Sequence, residues 1–266
     1  MIENQEPTLV TVVIPTYNRA QFLERGINSI LQQTITQWKL LIVDDGSTDN
    51  TKDVVERYLI DSRIRYVQLQ KNKGVSYALN YALSLVDTKY FSQLDADDWY
   101  ERDTLEVCLQ KMEESSLKTA VVYGNDKVWK LVDESIKYIT VEEKREIEGK
   151  YDYITYHPMF YPRFYRTEAL HQVGGWSRDV PKKGRYAEDR QILLKLAGDY
   201  EFKFINQPLY NRLKHSSNNS RINNRKKYAS VTRYLYKEAL KRWGDEYEAE
   251  FTWVRGRLKV GRLIKK

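Results

Sequence analysis

Between Leu9 and Glu114, short runs of aliphatic and β-branched residues alternate four times with stretches of helical periodicity. "LVTVVIP" reads as a buried strand, and "AQFLERGINSILQQT" follows with Phe22, Leu23, Ile27, Ile30 and Leu31 at helical spacing. "LLIVDD", "IRYVQL" and "YFSQL" are three further strands. "TKDVVERYLI", "GVSYALNYALSLV" and "DTLEVCLQKMEE" are the helices that follow them. Strand and helix in strict succession with short loops predict parallel βαβ units, because parallel neighbours need a crossover and a helix is the usual one. The expected class is therefore α/β, a mostly parallel sheet flanked by helices.

In such a sheet ligands bind beyond the carboxyl ends of the strands. Pro15 to Arg19 leave the first strand there, Asp44 and Asp45 the second, and Asp95, Asp97 and Asp98 the fourth, so the polar residues of this half converge on one rim. Two carboxylates ~5 Å apart repel by roughly 0.8 kcal/mol in water and by about 3 kcal/mol at an effective dielectric of ~20. The cluster "DADD" has two readings. Asp98 or Asp103 can cap the following helix, or the cluster can hold a hard cation such as Mg²⁺ shared with substrate phosphates. Its place on the binding rim favours the cation. "DDGSTDN" likewise contains a helix cap among Ser47, Thr48 and Asp49, and one more carboxylate than a cap needs. The turn after the first strand, "PTYNRA", is not G-x-G-x-x-G, and no G-x-x-x-x-G-K-[ST] occurs, which excludes the glycine-rich phosphate cradles.

Other whole-chain properties narrow the class. The 266 residues are long enough for one large domain or two small ones. The single cysteine, Cys108, permits no intramolecular disulfide and suggests a reducing compartment. The start "MIENQEPTLV" lacks a secretory leader pattern, and no run of eighteen apolar residues occurs, so the expectation is a cytoplasmic protein. The net charge of +7 sits in the tail: residues 221–266 carry fourteen Lys or Arg against five Asp or Glu. No nucleic-acid motif accompanies that charge. An anionic membrane surface, a partner protein, self-association, or packing of helices on the chain's own domain remain open for it.

"VTVVIPTYNRAQFLERGINSILQQT", "LLIVDDGSTDNT", "NKGVSYALNYAL" and "YFSQLDADDW" together resemble the successive blocks of the inverting glycosyltransferases of family 2, which have the GT-A fold. The resemblance runs from about Thr11 to Trp99, and four blocks in order are more specific than any one. It implies a donor site for a nucleotide-diphosphate sugar, UDP-sugar favoured. Pro15, Tyr17 and Asp45 would surround the base, Asp95 would lie by the ribose, and Arg19 and Lys73 are candidates to approach the phosphates. It also implies a divalent metal, Mn²⁺ or Mg²⁺, held by Asp97, with His215 as a second candidate. "YAEDRQILLKLAG" resembles the family's Glu-Asp pair opening a helix, which makes Asp189 the expected general base and Glu188 its support; alone, the pair reads as favouring the helix dipole. "HPMFYPRFYRTEALHQVGGWSRDV" resembles the segment leading to the acceptor, placing Gly174, Gly175 and Trp176 there. His157 and His171 read as packing or surface residues.

The implied activity is metal-assisted transfer of one sugar to an acceptor hydroxyl of a glycan, a lipid-linked acceptor or a protein. The Q-x-x-R-W motif and membrane helices of the processive synthases are missing. A nucleotidyltransferase and a catalytically silent binding protein are the rival readings. The expected organisation is a catalytic domain over 1–215, divided into a nucleotide-sugar half (9–126) and an acceptor half (127–215), then a basic, mostly helical extension over 216–266.

Overall fold

A computed structural model describes residues 8–157, 159–217, 224–254 and 256–266. The start of the chain up to residue 7, part of the stretch read as lacking a leader, lies outside the described residues, as do 218–223 at the head of the extension.

The alternating half folds as its pattern demands: β1 (Val10–Thr16), α1 (Ala20–Leu31), β2 (Trp38–Asp44), α2 (Thr51–Glu56), β3 (Ile64–Gln68), α3 (Val75–Leu83) and β4 (Tyr90–Gln93). β3, β2, β1 and β4 are parallel neighbours in that order. The register is carried by period-two packing. Val13, Leu41, Val43 and Phe91 enter the core on one face, and Val12, Ile14, Leu40, Ile42 and Tyr90 enter the core on the other. Because β2 and β3 lie on one side of β1 and β4 on the other, the order in which the chain adds parallel strands reverses between β1 and β4. A crevice opens beyond their carboxyl ends.

After β4 come β5 (Trp99–Tyr100), α4 (Thr104–Glu113), β6 (Thr119–Val132), β7 (Ser135–Glu142), α5 (Lys150–Tyr156), β8 (Tyr161–Arg166), α6 (Thr167–Gln172), a short 3₁₀ turn (Pro181–Gly184), α7 (Glu188–Leu196) and β9 (Glu201–Lys214). The sheet continues from β4 through antiparallel β8 to β6, β9 and β5, with β7 paired to β6. The division expected at residue 126 falls inside β6, whose strand runs unbroken to Val132.

The extension differs from the mostly helical expectation. It is one helix, α8 (Arg225–Arg242), followed by an antiparallel hairpin of β10 (Tyr247–Val254) and β11 (Arg257–Lys265). It is not a loose tail. Val231, Leu235, Tyr236, Ala239, Leu240, Trp243, Ala249 and Val260 are buried in the same core as β1, α3 and α7. Among its described basic residues, Arg233, Lys237 and Lys241 are exposed on α8, while Arg225 and Arg257 border a cleft. No helix among the described residues is long and apolar enough to cross a membrane.

Candidate active site

A cleft of about 1060 Å³ lies over the β1/β4 switch point. Pro15, Thr16, Tyr17, Asn18 and Arg19 line one side. Asn18 takes a left-handed conformation, φ 51°, and ties the β1 and β2 exits together. Its amide donates to Ser47 Oγ at 2.8 Å, and its side-chain oxygen accepts from the Thr48 amide at 2.8 Å. Tyr17 stands 41% exposed at the mouth. Arg19 donates to the carbonyls of Asn18 and Ser217.

The two aspartates ending β2 separate. Asp44 is fully buried and accepts from the Ser47 amide at 2.7 Å and the Tyr66 hydroxyl at 2.5 Å, so it holds the turn. Asp45 borders the cleft and accepts the amides of Lys73 and Gly74, both at 2.7 Å. Burial raises its pKa, and those two donors oppose the rise. Gly46, next in the chain, has φ 78°, and a Cβ there would meet the Lys71 backbone at 2.9 Å. Lys73 contributes its backbone, not its ammonium: Nζ turns to the Tyr77 hydroxyl and the side chain does not line the cleft. The cation that does line this end is Arg185, bonded to Asn72 Oδ1 at 2.6 Å.

The acidic turn after β4 also divides. Asp98 is 3% exposed and accepts from the Leu213 amide at 2.8 Å and the Tyr210 hydroxyl at 2.9 Å, tying the turn to β9. Its role is structural, and burial drives its pKa well up. Asp97 points the other way, with Oδ2 2.8 Å from His215 Nε2. His215 packs on the Phe22 ring, centroids 4.2 Å apart, and its Nδ1 meets Ser217 Oγ at 2.8 Å. The Ser217 amide also donates to Nδ1 at 3.3 Å, so Nδ1 accepts and Nε2–H faces the Asp97 carboxylate; a cation bound at Asp97 would take the place of that proton. One carboxylate and one imidazole suit a divalent ion that completes its shell with water and phosphate oxygens. Among the described residues no group of three such side chains forms a closed metal cage.

Asp95 makes the contact that organises the floor. Arg163, on β8 and 1% exposed, lies 2.6 Å from Asp95 Oδ1 and 3.6 Å from Asp189 Oδ2. One buried guanidinium thus spans two expected site carboxylates from elements far apart in sequence. Burial pushes the Asp95 pKa up, with Arg163 opposing. Asp189 sits in the first turn of α7, after Ala187 in a left-handed conformation, and accepts the Arg190 amide at 2.7 Å. Glu188 is half-buried, and desolvation, then the Asp189 charge, push its pKa up to about 8. Protonated, it adds no charge beside Asp189.

Pro15, Tyr17, Arg19, Asp45, Asp95, Asp97, Glu188 and Asp189 therefore border one cleft, with His215 on Asp97. Gly174, Gly175 and Trp176 do not line it. Trp176 is 1% exposed against Phe91 and Tyr165, and Asn80 clamps its backbone, donating to its carbonyl at 2.6 Å and accepting from its amide at 2.9 Å. The turn there is a core junction. Sequence reasoning passed over Arg163 and Arg185. The stretch left a signal: two arginines, Arg163 and Arg166, interrupt the aromatic "FYPRFYR" of a buried strand, and a buried cation needs an anion or polar acceptors beside it.

Residues 11–174 match the family described as "Glycosyl transferase family 2", and the chain belongs to that family. It is 33% identical over 213 residues to the chondroitin synthase of Escherichia coli, covering 80% of this chain and 30% of that protein. It is 41% identical over 109 residues to the putative teichuronic acid biosynthesis glycosyltransferase TuaG of Bacillus subtilis, covering 41% and 43%. S. aureus TarS 1-349 in complex with UDP-GlcNAc superposes with a TM-score of 0.68 at 20% identity, over 87% of this chain and 66% of that one. The mannosyltransferase PcManGT of Pyrobaculum calidifontis, with GDP-Man and Mn²⁺, gives 0.63 at 21%, over 90% and 65%. The fold is thus GT-A-type α/β. The chain spans under a third of the length of the chondroitin synthases it matches.

Proposed function

We propose that this chain transfers one sugar from a nucleotide-diphosphate sugar to an acceptor hydroxyl, with inversion, in the assembly of a polysaccharide or other glycan. The observation that carries the reading is the convergence of Asp45, Asp95, Asp97 and Asp189 on one cleft, with Arg163 joining the last-named to Asp95. Pro15, Tyr17 and Asp45 receive the base, and Asp95 the ribose. UDP is the favoured nucleotide, supported by the fold shared with a UDP-GlcNAc complex; the GDP-Man neighbour keeps guanosine as the alternative. Asp97 and His215 would hold Mn²⁺ or Mg²⁺, which when bound supplies positive charge against the leaving diphosphate. Asp189 accepts the proton of the acceptor hydroxyl as its oxygen bonds to the anomeric carbon and the carbon–diphosphate bond breaks. Arg163 keeps that carboxylate in place, and protonated Glu188 avoids a second negative charge beside it. A cytoplasmic setting, where nucleotide sugars would be available, fits this chemistry.

The test is a calorimetric panel of UDP-, GDP- and TDP-sugars with and without Mn²⁺, followed by an assay of released nucleoside diphosphate. One donor should bind in a metal-dependent way. Asp97→Asn and His215→Ala should each weaken Mn²⁺-dependent nucleotide binding by roughly tenfold or more, the loss typical for a metal ligand or its close support. Unchanged metal dependence in both variants sinks the metal assignment, and release of pyrophosphate in place of nucleoside diphosphate sinks the transferase.

A further inference from the structure

One face of α8 lines the cleft. Arg225, Tyr228, Ala229 and Thr232 fall at i, i+3, i+4 and i+7, the spacing of a single helical stripe, and all four border the cavity. The hairpin adds Gly256 before β11 and Arg257 and Leu258 at the start of that strand. Tyr228 packs edge-on against Tyr186, ring centroids 5.2 Å apart, next to the segment that carries Glu188 and Asp189. Gly256 has φ 74°, and a Cβ there would collide with the Arg225 guanidinium, so the backbone of the turn seats that side chain. The wall facing the expected base is therefore supplied by the extension, and it is cationic.

Its charges are not spent inside the fold. The other arginines that line the cleft have protein partners: Arg212 lies on Asp126 and Glu142, Arg19 donates to the Asn18 and Ser217 carbonyls, Arg185 to Asn72 and Arg190 to Tyr236. Among the described residues neither Arg225 nor Arg257 lies within ion-pair distance of a carboxylate, and both are exposed. Two guanidiniums on the rim of a substrate cleft offer forked donors to a planar or tetrahedral oxyanion.

We infer that the α8–hairpin wall is an acceptor subsite for an anionic glycan, one bearing a carboxylate or phosphate beside the hydroxyl that attacks. This rests on the transferase reading for the word acceptor, but the binding it asserts stands apart from turnover. The test compares para-nitrophenyl β-glucuronide, β-glucoside and a phosphorylated β-glucoside. Each is titrated calorimetrically into the full chain with Mn²⁺ and a saturating nucleoside diphosphate, then offered as acceptor. Wild type should bind the charged probes roughly tenfold more tightly than the neutral one, and whichever charged probe leads tells carboxylate from phosphate. Arg225→Ala and Arg257→Ala should each cut that charged-to-neutral ratio several-fold, and Gly256→Ala should do the same by displacing Arg225. Equal binding of charged and neutral probes by wild type overturns the inference. So does a loss in the variants that falls on nucleoside diphosphate affinity while the ratio holds, since the arginines then serve the donor. Absence of transfer to any acceptor, with the binding preference intact, counts against the transferase alone.

Discussion

At the scale of single residues, Arg163 and Glu188 set the electrostatics of the cleft floor. Removing Arg163 leaves Asp95 and Asp189 close together without their shared cation. Breaking a buried pair from one side costs about 3–5 kcal/mol; Asp95 keeps 31% side-chain exposure, so the lower end applies. At about 3 kcal/mol, Arg163→Met should lower the melting temperature by roughly 6–12 °C in metal-free buffer, given about 2–4 °C per kcal/mol for a chain of this size. Adding Asp95→Asn to it should restore part of the loss. A melting temperature within a degree of wild type for Arg163→Met would show that the guanidinium neutralises nothing. Glu188 gives a pH signature of defined sign. Its native pKa of about 8 lies above its ordinary value of 4.5, so between those values the folded chain holds a proton that the unfolded chain has released. Its contribution to stability is complete below about pH 4.5 and lost as pH rises through about 8. Glu188→Gln should therefore flatten the fall in melting temperature from pH 5 to pH 9, and parallel curves for the two proteins would refute the raised pKa.

At the scale of elements, what the sequence disclosed depended on how each residue is used. The parallel half was legible because β1, β2 and β4 are buried on both faces, so their hydrophobic runs are continuous and their helices keep a clear period. The extension was misread beyond α8. "YEAEFTWV" and "RLKVGRLI" do alternate, with Ala249, Phe251, Leu258 and Val260 turned inward about a turn containing Gly256, but their charge density reads as helix. Gly174–Trp176 was expected at the acceptor because its segment resembles the one that leads there in the family. Its burial is decided by Asn80, a polar helix residue 96 positions away, and nothing local announces that clamp. The same holds for Arg163: its composition hinted at an anion, while the identity of that anion needed the β4–β8 pairing, Gln93 opposite Arg163, to be known. Local periodicity therefore gave the rim, and long-range pairing gave the contacts across it.

At the scale of the molecule, the question is whether the extension is an appendage or part of the fold. Val231, Leu235, Tyr236, Ala239, Leu240, Trp243, Ala249, Leu258 and Val260 are each at most 8% exposed. Burying a large apolar side chain contributes about 1.5–3 kcal/mol, so this set amounts to more than 10 kcal/mol before the entropy of ordering is charged against it. That gross figure is comparable with the whole net stability of a typical domain, about 5–15 kcal/mol. Polar ties reinforce it. Arg190, beside Asp189 and 6% exposed, donates to the Tyr236 hydroxyl at 2.6 Å, and Arg242 donates to the Leu194 carbonyl at 2.7 Å. Both contacts hold α7, so removing the extension would strip apolar cover from the core and loosen the helix that presents Asp189. A chain ending at residue 217 should therefore be poorly soluble or lack native near-ultraviolet circular dichroism, and it should not release nucleoside diphosphate. Supplying residues 218–266 as a separate chain during expression should recover part of the signal if the two pieces find each other. A shortened chain that melts cooperatively within a few degrees of the full protein would refute the single-core view and restore an independent catalytic domain ending near residue 215.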